Sequence, residues 1–215
     1  METVALLKDI SLLIAILVAI YGIDSWRREH KGKRQIELAE ETLALFYEAR
    51  DVLAYIRNIF SYSSETENIE RGESEPEEKY EARKKASIVF KRYNANQELF
   101  NKIHAMRYRF MAQIGKEQAE PFEELRKIVN EIFVSARMLS QLWSRHHFRS
   151  QEHEDKHYRS IERHEAIFYE GIEEEDPIIP RLNKLVSEIE ITCKAIISGK
   201  GTLHGFLNKP LEKGR

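Results

Sequence analysis

Residues 120–143 read EPFEELRKIVNEIFVSARMLSQLW. Within them Phe122, Leu125, Val129, Ile132, Ala136, Leu139 and Trp143 recur at alternating three- and four-residue steps. That spacing lines one face of an α-helix and does not fit the two-residue repeat of a strand. Pro121 suits the first helical turn, where its missing N–H leaves no hydrogen bond unmade, and Gly115 ends the helix before it. A stripe of this kind is either a seam inside one bundle or a coiled-coil contact between subunits. Phe122, Leu125, Val129, Ile132, Leu139 and Trp143 are therefore candidate packing or partner-binding residues.

The same period extends outward in both directions. From Gln35 to about Tyr62, one row holds Leu38, Thr42, Leu45, Ala49, Val52, Ile56 and Ile59, and Leu43, Phe46, Leu53 and Phe60 widen it into a buried face. A second long helix is expected from about Glu77 to Ile114. Its stripe contains Asn96 and Arg107; a half-buried Arg107 needs a carboxylate, and Glu48 or Asp51 are the expected partners. Tyr158, Ile161, Phe168 and Ile172 imply helix through about Gly171. Pro180 opens a last helix whose buried face is Leu182, Leu185, Ile189, Cys193 and Ile196. Between the first two helices, residues 63–78 (SSETENIERGESEPEE) hold seven glutamates against Arg71. They read as a solvated acidic connector. Lys79, Arg83, Lys84, Lys85, Lys91 and Arg92 make the following helix basic, so it either meets this loop or presents a solvated face.

Composition agrees with long helices. Charged residues make up 33% of the chain, while Gly (9) and Pro (5) are scarce. The formal net charge of −2 argues against a general nucleic-acid binder. Cys193, the single cysteine, excludes an intrachain disulfide.

The N-terminus is different in kind. Residues 10–23, ISLLIAILVAIYGI, are apolar on every side. Extended back to Val4, the segment reaches the length needed to cross ~30 Å of hydrocarbon, with Lys8 and Asp9 near its outer end. Tyr21 and Trp26 stand where an aromatic belt belongs, and Arg27, Arg28, Lys31, Lys33 and Arg34 follow. This basic flank predicts a single-pass cell-membrane protein with its N-terminus outside and its C-terminal domain cytoplasmic. The helix after the span either continues it or hinges near Gly32.

One string invites a catalytic reading. His153-Glu154-Asp155-Lys156-His157 satisfies H-E-x-x-H, in which two histidines one helical turn apart share a zinc ion and the glutamate acts as base. Its flanks are solvated, however, and His164 lies about 10 Å further along the axis at ~1.5 Å per residue, too far to complete the site. His153 and His157 are thus weak metal candidates, and no catalytic residue or cofactor is expected. No phosphate-binding glycine loop or nucleophile elbow is present in the sequence.

The expected architecture is all-α: a single N-terminal transmembrane helix (1–26), a basic juxtamembrane segment (27–34), an antiparallel bundle of about four long helices (35–198) and a flexible tail (199–215). The expected role is an adaptor, scaffold or regulatory subunit rather than an enzyme. Its expected partners are membrane lipids, an unidentified protein and a second copy of the chain, with no nucleic acid. The alternatives are a metal-dependent hydrolase built on the H-E-x-x-H string, and a small membrane pore or effector.

Overall fold

The computed structural model describes residues 2–145, 147–172 and 174–199, with side chains from Ser11 onward. Among these residues the chain is all-helical, with six α-helices and no strand. They are α1 (Glu2–Ile56), α2 (Glu77–Ala95), α3 (Gln97–Gln113), α4 (Glu120–Leu142), α5 (Gln151–Phe168) and α6 (Ile179–Ile197). Short 3-10 turns at Ser63–Glu65 and Glu117–Ala119 precede α2 and α4.

Helix α1 is one uninterrupted rod of 55 residues. No proline interrupts it, and the α-helix continues unbroken through Gly32. It ends at Ile56, short of the expected Tyr62, because the chain beyond finds other hydrogen-bond partners. Ile59 and Phe60, expected on the buried face, are consequently 50% and 81% exposed. Leu38, Ala39, Phe46, Ala49, Leu53 and Ile56 do form the buried stripe.

The expected helix from Glu77 to Ile114 is two helices. At Asn96 the backbone leaves the helical region (φ −113°, ψ 16°), and the Asn96 side-chain amide donates to Arg92 O at 2.8 Å. Asparagine competes for backbone partners in this way, which favours helix ends over interiors. Tyr93 and Phe100 stack across the break with ring centroids 4.6 Å apart. The break also changes neighbours: α2 lies mainly on α4, and α3 mainly on α1.

Helix α4 is the hub of the bundle, packing on α2, α5 and α6. Phe122, Leu125, Ile132, Ala136 and Leu139 are buried, while Val129 and Trp143 are half-buried. The heptad stripe is therefore a seam within this chain. Phe122 meets Phe46 of α1 edge-on at 4.8 Å and Phe110 of α3 at 5.3 Å, tying three helices into one core. Edge-to-face rings suit the aromatic quadrupole and add about 0.5–1.5 kcal/mol per pair beyond the area they bury. Pro121 sits in the first turn of α4 and Pro180 in that of α6. Arg181 of α6 bridges Glu124 and Glu131 of α4 at 2.6 and 2.5 Å.

Among the described residues no helix is long and apolar enough to cross a membrane. Val4, Lys8 and Asp9, counted in the expected span, have side chains outside the described residues, as does all of the expected tail beyond Gly199.

Candidate functional site

The large apolar side chains from Leu12 to Ile23 are between 49% and 71% exposed, on all sides of α1. Nothing among the described residues covers them. Each such side chain left in water forgoes about 1.5–3 kcal/mol relative to burial. Contiguous exposed apolar surface of this kind marks an interaction surface.

The basic segment follows on the same rod. Arg28 is paired with Asp24 and lies 6.0 Å from the Tyr21 ring. Arg27, Lys31, Lys33 and Arg34 make no ion pair among the described residues. Arg27, Lys31 and Arg34 fall at i, i+4 and i+7, so they share one face. That face, with Trp26, forms one wall of a recess of about 290 Å³, and Ala112 and Gln113 at the end of α3 form the other. Trp26 stacks on His30 with centroids 5.6 Å apart. The side chain of Gln35 donates to Gln113 O at 2.6 Å, fastening the end of α3 to α1. Lys33 lies outside the recess.

At the other end of α1, about 45 Å from Trp26 at ~1.5 Å per residue, stands a second exposed surface. Tyr55, Ile59, Phe60 and Tyr62 are 47%, 50%, 81% and 78% exposed. Beside them a groove of about 590 Å³ runs between the chain at Ser61–Thr66 and the start of α2, with Trp143 among its walls. The Trp143 indole donates to Glu165 at 2.8 Å, and the Lys85 ammonium sits 4.1 Å from the centroid of the same ring system.

The acidic stretch is more than a solvated connector. Glu65 is buried and takes two hydrogen bonds from Arg92, at 2.7 and 3.0 Å. The side-chain hydrogen bond from Arg92 holds the Glu65 carboxyl below the usual carboxylate range. Glu75 is paired with Arg83, which lowers its pKa to about 2. The basic face of α2 thus meets the loop. Glu67, Glu70, Glu73 and Glu78 make no ion pair among the described residues, and Glu78 lines the groove.

The sequence reading does not single out Arg57, and it places Arg92 only on a basic helix face; both are buried. Arg57 is 1% exposed. It donates to Ala166 O, Ile167 O and Tyr169 O at 2.8–2.9 Å and to Asp176 at 2.8 Å, closing the end of α5. Arg92 donates to Tyr55 O, Asn58 O and Phe60 O, closing the end of α1. The last carbonyls of a helix lack intrahelical donors, and guanidinium groups meet that need here. Arg107 pairs with Glu123 of α4 at 2.5 Å, not with Glu48 or Asp51: although α3 lies mainly on α1, Arg107 stands on its side toward Phe122, Glu123 and Arg126 of α4.

The H-E-x-x-H string lies at the start of α5. His153 is exposed, and its ring nitrogen Nδ1 lies 2.7 Å from the Ser150 hydroxyl, at the helix N-cap. His157, one turn further on, is buried against Phe148 with ring centroids 4.7 Å apart. Among the described residues no group of three or more His, Cys, Asp or Glu side chains is placed to hold a metal ion. His164 lies beside Ser135 at 3.1 Å, and burial holds its pKa below the usual histidine value. Cys193 is fully buried, and burial pushes its thiol up to about 11, far from the thiolate a nucleophile needs.

No protein-family model, curated protein or solved structure matches the chain.

Proposed function

We propose that this chain is a membrane-tethered helical bundle that acts by protein–protein contact, as an adaptor, scaffold or regulatory subunit. The observation that carries the reading is the layout of α1. One rod bears an uncovered apolar stretch and a basic collar at one end, and an exposed aromatic surface beside a groove at the other. The apolar stretch from Ser11 to Ile23 covers about 20 Å at ~1.5 Å per residue, short of the ~30 Å hydrocarbon core. The tether draws the rest of its length from the sequence between Val4 and Ile10. The basic collar sets the orientation, with the N-terminus outside and the bundle in the cytoplasm.

At the far end, Phe60, Tyr62 and the groove offer an apolar anchor site. Glu78 on the groove wall complements a basic segment on the partner. Tethering confines such encounters to the membrane surface and raises the effective concentration of a partner held there. The exposed stretch of α1 also suits side-by-side packing with a second copy within the bilayer. Neither catalysis nor nucleic-acid binding is part of the proposal.

Fractionation of expressing cells tests the tether. After alkaline carbonate washing the chain should remain in the membrane pellet, and release into the supernatant would sink the reading. Protease added to sealed cells should leave the bundle intact; digestion of the bundle from outside would overturn the orientation.

A further inference from the structure

We infer that the recess formed by Arg27, Lys31 and Arg34 against the end of α3 seats the phosphate of an anionic lipid headgroup. The inference rests on the tether reading and gives that tether a lipid preference.

Three features single this place out from a merely basic helix. First, the three cations share one face and none makes an ion pair among the described residues, whereas neighbouring Arg28 is committed to Asp24. Second, the face is concave, because the last turn of α3 closes a recess of about 290 Å³ around it. A helix C-terminus ordinarily repels an anion through its free carbonyls. Here Gln113 O is taken by the Gln35 amide at 2.6 Å, which lessens that repulsion. Third, the recess directly follows the uncovered apolar stretch. A headgroup held at Arg27–Arg34 places its acyl chains alongside Leu12–Ile23, so the site matches an amphiphile in both charge and polarity. Trp26, stacked on His30, sits at the junction, where indoles favour the headgroup level.

The test uses the full chain reconstituted in phosphatidylcholine vesicles, with Trp143→Phe leaving Trp26 as the single tryptophan. Energy transfer is read from Trp26 to a trace of acyl-labelled phosphatidic acid, or to acyl-labelled phosphatidylcholine at the same level. Flotation with the vesicles is measured first. The expected result is stronger transfer to the anionic lipid than to phosphatidylcholine. Each charge near an anionic surface contributes about fivefold in binding. Arg27→Gln should thus weaken the preference several-fold, and the triple variant with Lys31→Gln and Arg34→Gln on the order of hundredfold. Lys33→Gln, one residue from the recess but outside it, should keep the preference.

Equal transfer to both lipids overturns the inference and leaves the tether standing. So does a loss in Lys33→Gln equal to that in Arg27→Gln, which would mean diffuse charge attraction. Complete displacement by millimolar inorganic phosphate would reassign the recess to free phosphate and likewise overturns it. A chain that fails to float with either vesicle overturns the tether and the inference together, and is distinguished by that first measurement.

Discussion

The Arg92 guanidinium and the Glu65 carboxylate meet as a two-pronged pair, Nε to Oε1 at 2.7 Å and Nη2 to Oε2 at 3.0 Å. They are 27 residues apart in sequence and both buried. The remaining Arg92 hydrogens go to the carbonyls that end α1. The pair therefore decides where the longest helix stops and where the acidic loop is pinned. Removing one member of a buried pair strands a charge and typically costs about 3–5 kcal/mol. Glu65→Ala and Arg92→Ala should each lose stability in that range by denaturant unfolding. The double change to Glu65→Leu with Arg92→Met should stay destabilised, because Tyr55 O, Asn58 O and Phe60 O still lack a donor. Recovery of wild-type stability by the double variant would show that the capping bonds contribute nothing.

Acid should weaken the fold in two steps. His164 is held below its ordinary value of 6.5 by burial, so the unfolded chain takes up its proton first. A group with a depressed folded pKa stabilises above its unfolded value and loses that contribution as pH falls through the folded value. A modest decline should therefore begin below about 6.5. The second step begins below about 4.5, where Glu65 and Glu124 would titrate if unfolded. Their bonds to Arg92 and Arg181 hold both carboxyls down. Asp176 joins them: burial pushes it up, but Arg57 and the N–H groups of Ile179 and Ile178 outweigh that. Melting temperatures from pH 7 to 3 check this, with His164→Gln expected to remove the first step and Glu65→Gln to soften the second. A flat profile down to pH 3 would contradict it.

Two phenylalanines on one segment should behave oppositely. Phe46 is 1% exposed in the three-ring core, so Phe46→Ala should cost about 3–5 kcal/mol. Phe60 is 81% exposed, and Phe60→Ala should change stability by no more than about 0.5 kcal/mol. Under the proposed function, Phe60→Ala should nonetheless weaken partner capture while the fold is intact. Parallel unfolding curves and co-precipitation from cells separate the two effects.

Cys193 should be inert until the fold opens. Its burial on α6 and its raised pKa leave little thiolate at pH 8. Alkylation followed by mass spectrometry should proceed at the rate of unfolding, and should become fast in denaturant. Rapid labelling of the native chain would mean that α6 detaches readily.

Periodicity carried the helix stripes well where the pattern is local. The buried faces of α4 and α6 are nearly those the spacing implies, and the α1 stripe is right up to Ile56. The errors fall where a distant group intervenes. Ile59 and Phe60 continue the apolar row, yet Arg92 has already drawn off the carbonyls that a longer helix would use. Asn96 fits the stripe of one long helix, yet its amide breaks the rod so that α3 can lie on α1. Arg107 needed a carboxylate, and its identity depended on which neighbouring helix its own side of α3 came to face. The two ends of α1 were legible to different degrees. Arg27, Lys31 and Arg34 were visible as charge, but their recess required the end of α3, and the groove beside Tyr62 required α2 and Trp143.

By itself, the sequence determined that the fold is all-α, that the N-terminal apolar run is flanked by cations, and which faces of α4 and α6 turn inward. Those properties are set by the 3.6-residue period and by composition within a few turns of chain. Only the tertiary structure decided that Arg57 serves α5 and Asp176, that Arg92 serves α1 and Glu65, and that three cations on α1 face a wall supplied by α3. A buried guanidinium is satisfied by whatever oxygen lies within about 3 Å of it in space, and sequence distance says nothing about which oxygen that is.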